Sequence, residues 1–146
     1  MFEVSEKRMQ RFILILAVIL ALIISGCSAP NRTPEQPKAE YVRITPQEAQ
    51  DMMSEDVIIL DVRTPQEFDE VHIINAVLLP LSEIREKAGT VITDKSQTIL
   101  VYCRTGRRSE TAAKELIELG YMNVFDFGGI VDWTGDVLRN GNTTSQ

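Results

Sequence analysis

Thr98-Ile99-Leu100-Val101-Tyr102-Cys103-Arg104-Thr105-Gly106-Arg107-Arg108-Ser109 runs from an apolar stretch into a basic, glycine-containing loop that opens on a cysteine. Beyond it, Ser109 to Leu119 sets Ala113, Leu116 and Ile117 on one face at helical spacing and Glu110, Lys114 and Glu118 on the other, with Gly120 to end the helix. Strand, loop and helix in that order place Cys103 where free backbone N–H groups and the positive end of a helix converge. Such settings lower a thiol pKa from about 8.5 into the range ~3.5 to ~7.5. A fall to ~6.5 raises the thiolate fraction at neutral pH from roughly 3% to roughly 75%. The loop can hold an anionic sulfur without a metal or a neighbouring base.

Working outward, the same alternation recurs. A short strand, Tyr41 to Ile44, meets Thr45-Pro46-Gln47-Glu48, which supplies a cap, a proline at the first helical position and the reciprocal glutamate of a capping box. The helix this starts should run to about Met53. Val57-Ile58-Ile59-Leu60 reads as a strand buried on both faces and ends in Asp61-Val62-Arg63; Thr64-Pro65-Gln66-Glu67 then repeats the helix-start signal for a short helix to about Glu70. Val77-Leu78-Leu79 is a third strand, Leu81 to Lys87 a short helix stopped by Gly89, and Val124 to Phe127 a last strand before Gly128-Gly129 and a helical stretch holding Trp133 and Leu138. Strands alternating with helices predict an α/β fold: an open, mostly parallel sheet of about five strands with helices on both faces. In that architecture ligands bind at the carboxyl ends of strands, where the Cys103 loop sits.

The chain has 146 residues and room for one ordinary core. Its formal charge is −6, and because residues 1–26 carry Lys7, Arg8 and Arg11 against Glu3 and Glu6, the remainder carries −7. That acidity, with few aromatics, argues against nucleic acid as a partner. Phe12 to Ile24 is an unbroken apolar run of thirteen residues behind a basic start, short for a membrane span of ~20 and suited to a signal-peptide core. It ends Ile24-Ser25-Gly26-Cys27, which resembles a bacterial lipobox. The resemblance implies a lipoprotein signal peptide over 1–26 and a lipid-bearing N-terminal Cys27. The alternative is an uncleaved anchor, and both readings place the domain outside the cytoplasmic membrane, facing away from the cytoplasm. Residues 27–40, polar with three prolines, read as a flexible tether to a domain over 41–146.

Asp61-Val62-Arg63, Glu67-Phe68, His72-Ile73 with Asn75-Ala76 and Leu79-Pro80, Val101-Tyr102-Cys103-Arg104 with Gly106 and Arg108-Ser109, Leu119-Gly120-Tyr121 with Asn123-Val124, and Gly128-Gly129-Ile130 with Trp133 resemble, in order, a single-domain rhodanese. The resemblance spans Tyr41 to about Arg139. It implies a sulfurtransferase in which Cys103 takes a sulfane sulfur from thiosulfate or a persulfide, holds it as a persulfide and yields it to a thiophilic acceptor such as cyanide or a thiol. The backbone from Arg104 through Thr105, Gly106, Arg107 and Arg108 to Ser109 would cradle the outer sulfur, and Arg104, Arg107 and Arg108 would favour anionic donors. Related phosphatases have a loop one residue longer with an arginine six positions after the cysteine. Here that position is Ser109. The sequence departs from the family pattern at Val71, before His72, where glycine is usual, and at Ile74, so the loop there is expected to be reshaped.

The remaining candidates read more plainly. Asp61 and Arg63 suit a buried pair that buttresses the cysteine loop from behind. His72 is a satisfied structural histidine, which leaves Cys103 without an orienting base of the protease kind. Phe125, Phe127 and Trp133 belong to the core. No cofactor or metal is implied. The competing reading is a rhodanese-like binding or redox-sensing module that uses the same loop without turnover.

Overall fold

Val57–Asp61 (β2) and Thr98–Cys103 (β5) pair in parallel through five consecutive residues, from Val57 opposite Thr98 to Asp61 opposite Tyr102. This is the centre of the fold in the computed structural model, which describes residues 40–54, 56–139 and 141–145. The expected leader, Cys27 and the tether up to residue 39 therefore lie outside the described residues. Asn123–Gly129 (β6) pairs with the other edge of β5, Val42–Arg43 (β1) flanks β6, and Ala76–Leu78 (β4) flanks β2. The order β1-β6-β5-β2-β4 is parallel throughout.

Both faces of the sheet are covered, as the continuous apolar strands require. On one side Leu60, Ile99, Val101 and Val124 pack against Ile84 and Ala88 of helix α3 (Ile84–Val91) and Ala112, Ala113 and Leu116 of helix α4 (Arg107–Glu118). On the other, Ile59, Leu100, Tyr102 and Phe127 pack with Trp133 and with Ala49 of helix α1 (Pro46–Met52). Helix α1 and helix α2 (Pro65–Glu70) each begin on a complete capping box with proline in the first turn, from Thr45 and Thr64.

Two expectations are corrected. Gly89 does not stop α3, because Ile84, Ala88 and Ile92 are buried at i, i+4 and i+8 and that anchored face carries the helix past a glycine costing about 1 kcal/mol. The helix expected around Trp133 and Leu138 is a single 3-10 turn, Ile130–Asp132, followed by strands Asp136–Arg139 (β7) and Asn142–Ser145 (β8). The period there is two, with Val137 buried between exposed Asp136 and half-buried Leu138. These strands join Val71–Ile73 (β3) in a small antiparallel sheet, β3-β7-β8. Val71 thus begins a strand, and the turn after it carries Asn75 at φ 63°.

Candidate active site

β5 ends on Cys103, a free thiol only 1% exposed, and α4 begins after three intervening residues. So tight a reversal needs a left-handed residue, and Gly106 supplies it at φ 99°. The Gly106 N–H points back and donates to Cys103 Sγ at 3.1 Å. Burial pushes the Cys103 thiol up, but the amides of Ser109, Thr105 and Gly106 outweigh it and hold its pKa below the usual value. The twelve-residue α4 aims its positive end at the same sulfur.

Close approach of two backbones shapes the loop. Gly129, at the end of β6, lies so near it that a Cβ there would stand 2.7 Å from Thr105 Cα and collide with the Arg104 carbonyl. Gly128, also left-handed at φ 90°, makes room for the guanidinium of Arg43.

Three arginine–carboxylate pairs surround the loop. Arg63, 3% exposed, binds buried Asp61 through Nε (3.0 Å) and Nη2 (2.6 Å), and Nη2 also donates to the Val71 carbonyl at 2.6 Å. Its guanidinium lies over the Tyr102 ring, 5.6 Å from the centroid. Arg108 grips Glu67 bidentately, both bonds 2.7 Å, and this holds the Glu67 carboxyl at about 2. Arg43 binds buried Asp126 at 2.7 Å. Asp126 also takes the Gly128 N–H at 3.0 Å and lies 2.6 Å from the Ser109 hydroxyl. That hydroxyl has one proton and also lies 2.9 Å from the Gly106 carbonyl and 3.2 Å from that of Gly128. The shortest contact assigns the proton to Asp126.

The sequence-predicted residues are therefore brought together, in distinct settings. Gly106 and Ser109 lie beneath the sulfur. Arg104 and Thr105 are exposed on opposite sides of the loop, Arg104 lining a cleft of about 360 Å³ and Thr105 one of about 380 Å³. Arg107 is exposed in the first turn of α4, and Arg108 pairs with Glu67 while its guanidinium also faces the Cys103 sulfur. Asp61 and Arg63 form the expected buried pair. His72 stacks on Phe68 at 3.7 Å with its Nδ1 2.7 Å from the Phe68 carbonyl, remote in role from the thiol. Among the described residues no group of three His, Cys, Asp or Glu side chains is placed to share a metal ion. Sequence reasoning missed Arg43, Glu67 and Asp126 as members of the site. Glu67 was legible as a helix cap, and its Oε2 does accept from Thr64 while also serving Arg108. Asp126, a charge inside Val124-Phe125-Asp126-Phe127, was the available signal for a buried partner.

A family model, the Rhodanese-like domain, matches residues 45–136. The chain belongs to the rhodanese-like family. Thiosulfate sulfurtransferase PspE of Escherichia coli is 40% identical over 73 residues, half of this chain and 70% of its own length. Thiosulfate sulfurtransferase GlpE of Coxiella burnetii is 34% identical over 107 residues, 68% of this chain and 98% of its own. Among solved structures, a rhodanese with anions from E. coli superposes with a TM-score of 0.54 at 35% identity, covering 57% of this chain and 98% of its own. A rhodanese-related protein from Thermoplasma volcanium gives 0.57 at 32%, covering 64% and 90%. This rhodanese-like domain thus has single-domain sulfurtransferases as its relatives, and its parallel sheet with helices on both faces is the fold they share.

Proposed function

We propose that this rhodanese-like domain is a sulfurtransferase that carries a sulfane sulfur on Cys103. The observation that supports it most is the buried thiol with the Gly106 N–H at 3.1 Å and the Thr105 and Ser109 amides turned on it. The Cys103 thiolate attacks the outer sulfur of thiosulfate, forming the Sγ–S bond as the S–S bond of the donor breaks and sulfite leaves with its electron pair. An anionic acceptor, cyanide or a thiolate, then attacks that outer sulfur. The new S–C or S–S bond forms, and the pair of the broken bond returns to Cys103 as thiolate. The loop amides hold the negative charge at each stage, so no general base is required. Arg104 and the N-terminal turn of α4 favour an anionic donor.

Mass spectrometry of the purified protein after thiosulfate treatment tests this. A gain of one sulfur atom on Cys103, removed by cyanide, is expected. Cys103→Ser should lose the adduct and all sulfur transfer while keeping the wild-type circular dichroism spectrum. Transfer that survives this change overturns the assignment, and a protein that takes up no sulfur but responds to oxidants or holds a partner through the loop is the binding or sensing module instead.

We propose further that the domain is held on the outer side of the cytoplasmic membrane through a lipid on Cys27. The apolar run Phe12 to Ile24 and the sequence Ser25-Gly26-Cys27 support this. Radioactive fatty acid should label the wild-type protein in cells and fail to label Cys27→Ala.

A further inference from the structure

The cleft beside Arg104 is larger than its partners in sulfur transfer require. At about 360 Å³ it falls in the range of roughly 300–1,000 Å³ that accommodates organic ligands, far beyond cyanide or thiosulfate. Its charges are unevenly spent. Glu67 is neutralised by Arg108, and Arg63 by Asp61. Arg104 and Arg139, both exposed, hold no carboxylate among the described residues, and Glu70 has only a long contact of 3.4 Å with Gln66. Two guanidinium groups thus face one carboxylate. Arg63 adds a rigid donor: Nε and Nη2 make all its bonds to Asp61 and Val71, while Nη1 takes no part in them. Since no buried side-chain nitrogen among the described residues lacks a partner, Nη1 is left to the cleft that Arg63 lines. Ile130 and Val131 give the cleft an apolar wall, and the Val131 N–H is tied to the Arg104 carbonyl at 3.4 Å, which fixes that wall to the cysteine loop. The cleft on the other side of the loop offers no such surplus, since its arginine, Arg43, is bound to Asp126 and its other charges are Glu48 and Asp132.

We propose that the Arg104–Arg139 cleft is the acceptor site and takes a small amino-acid thiol, its carboxylate on Arg104 and Arg139 and its ammonium on Glu70. This rests on the sulfur-transfer reading above. The acceptor thiol loses its proton to solvent, and its thiolate pair forms a bond to the outer sulfur of the Cys103 persulfide. The Sγ–S bond breaks with its electrons passing to Cys103, so the products are an amino-acid persulfide and the resting thiolate. Atoms and charge balance without an oxidant.

Cysteine and cysteamine differ only by the carboxylate, and N-acetylcysteine replaces the ammonium of cysteine with a neutral amide, which makes them the probes. Each is supplied to thiosulfate-loaded wild-type protein, Arg139→Gln and Glu70→Gln, and kcat/KM is read for each. Comparing ratios between proteins cancels the intrinsic reactivity of every thiol. Arg139→Gln should lower the cysteine-to-cysteamine ratio about threefold to fivefold, the scale of an exposed charge pair, through KM for cysteine. Glu70→Gln should lower the cysteine-to-N-acetylcysteine ratio by a similar factor and leave the first ratio nearly untouched. Because Glu70 lies outside β7, this second variant stands even where Arg139→Gln disturbs the small sheet. Ratios that stay at wild-type values in both variants overturn the acceptor site while the loaded persulfide still stands. A wild-type protein that cannot be loaded at all overturns the sulfur-transfer reading itself.

Discussion

At the residue scale the site is an exercise in opposing a burial penalty. A thiol 1% exposed should resist ionisation, yet the amides directed at Cys103 reverse the sign. Its alkylation by iodoacetamide should therefore rise with pH through a midpoint below that of free cysteine and reach its plateau before it; a midpoint at or above the free-cysteine value contradicts the geometry. Glu67 is shifted in the same direction, by a guanidinium in place of amides. Its carboxyl, held at about 2 by Arg108 against an ordinary 4.5, adds stability that is fully present above pH 4.5 and is lost as pH falls toward 2. In urea titrations the stability gap between wild type and Glu67→Gln should be widest at neutral pH and narrow across that acid window. Much of this scale was readable. The order strand, cysteine, glycine loop and helix marks the thiol, whereas Arg43 and Asp126 meet only because strands 83 residues apart in sequence become neighbours.

At the element scale the decisive unit is the strand–loop–helix turn closed by the end of β6. Both capping boxes were legible because each is a local contract between residues three apart. The close packing of Gly129 on the loop was not, since it depends on β6 lying beside β5. Gly129→Ala should cost about 1–3 kcal/mol and depress sulfur transfer together, because the new methyl can be seated only by moving the Arg104–Thr105 backbone. Chemical denaturation and a cyanide assay on the same preparation check it; a stable, fully active variant would show that the loop has slack. The β7–β8 hairpin was the clearest misreading at this scale. Arg139 stands opposite Asn142, and the Asn140-Gly141 between them is a strong short-range hairpin signal that a helical reading of Trp133 and Leu138 hid.

At the scale of the whole molecule, the Tyr102 hydroxyl joins Arg63, which links Asp61 of β2 to the Val71 carbonyl of β3, in tying the two sheets together. Tyr102, fully buried in β5, accepts the Ile73 N–H of β3 on its hydroxyl at 3.2 Å. Tyr102→Phe strands that buried N–H and should cost about 1–3 kcal/mol. Hydrogen exchange should quicken at Ile73 and in β7 ahead of the central strands; uniform protection across both sheets would remove Tyr102 from this role. The parallel sheet could be foreseen from its apolar runs, while the small sheet, built from short strands that belong to distant parts of the chain, could not. The three ion pairs around the loop have a consequence for the molecule as a whole. A strongly acidic protein would ordinarily repel an anionic sulfur donor of the kind proposed, but Asp61, Glu67 and Asp126 are each leashed to an arginine within 2.7 Å. These three carboxylates beside the sulfur are thereby compensated locally, and the acidity of the body resides on side chains farther from it.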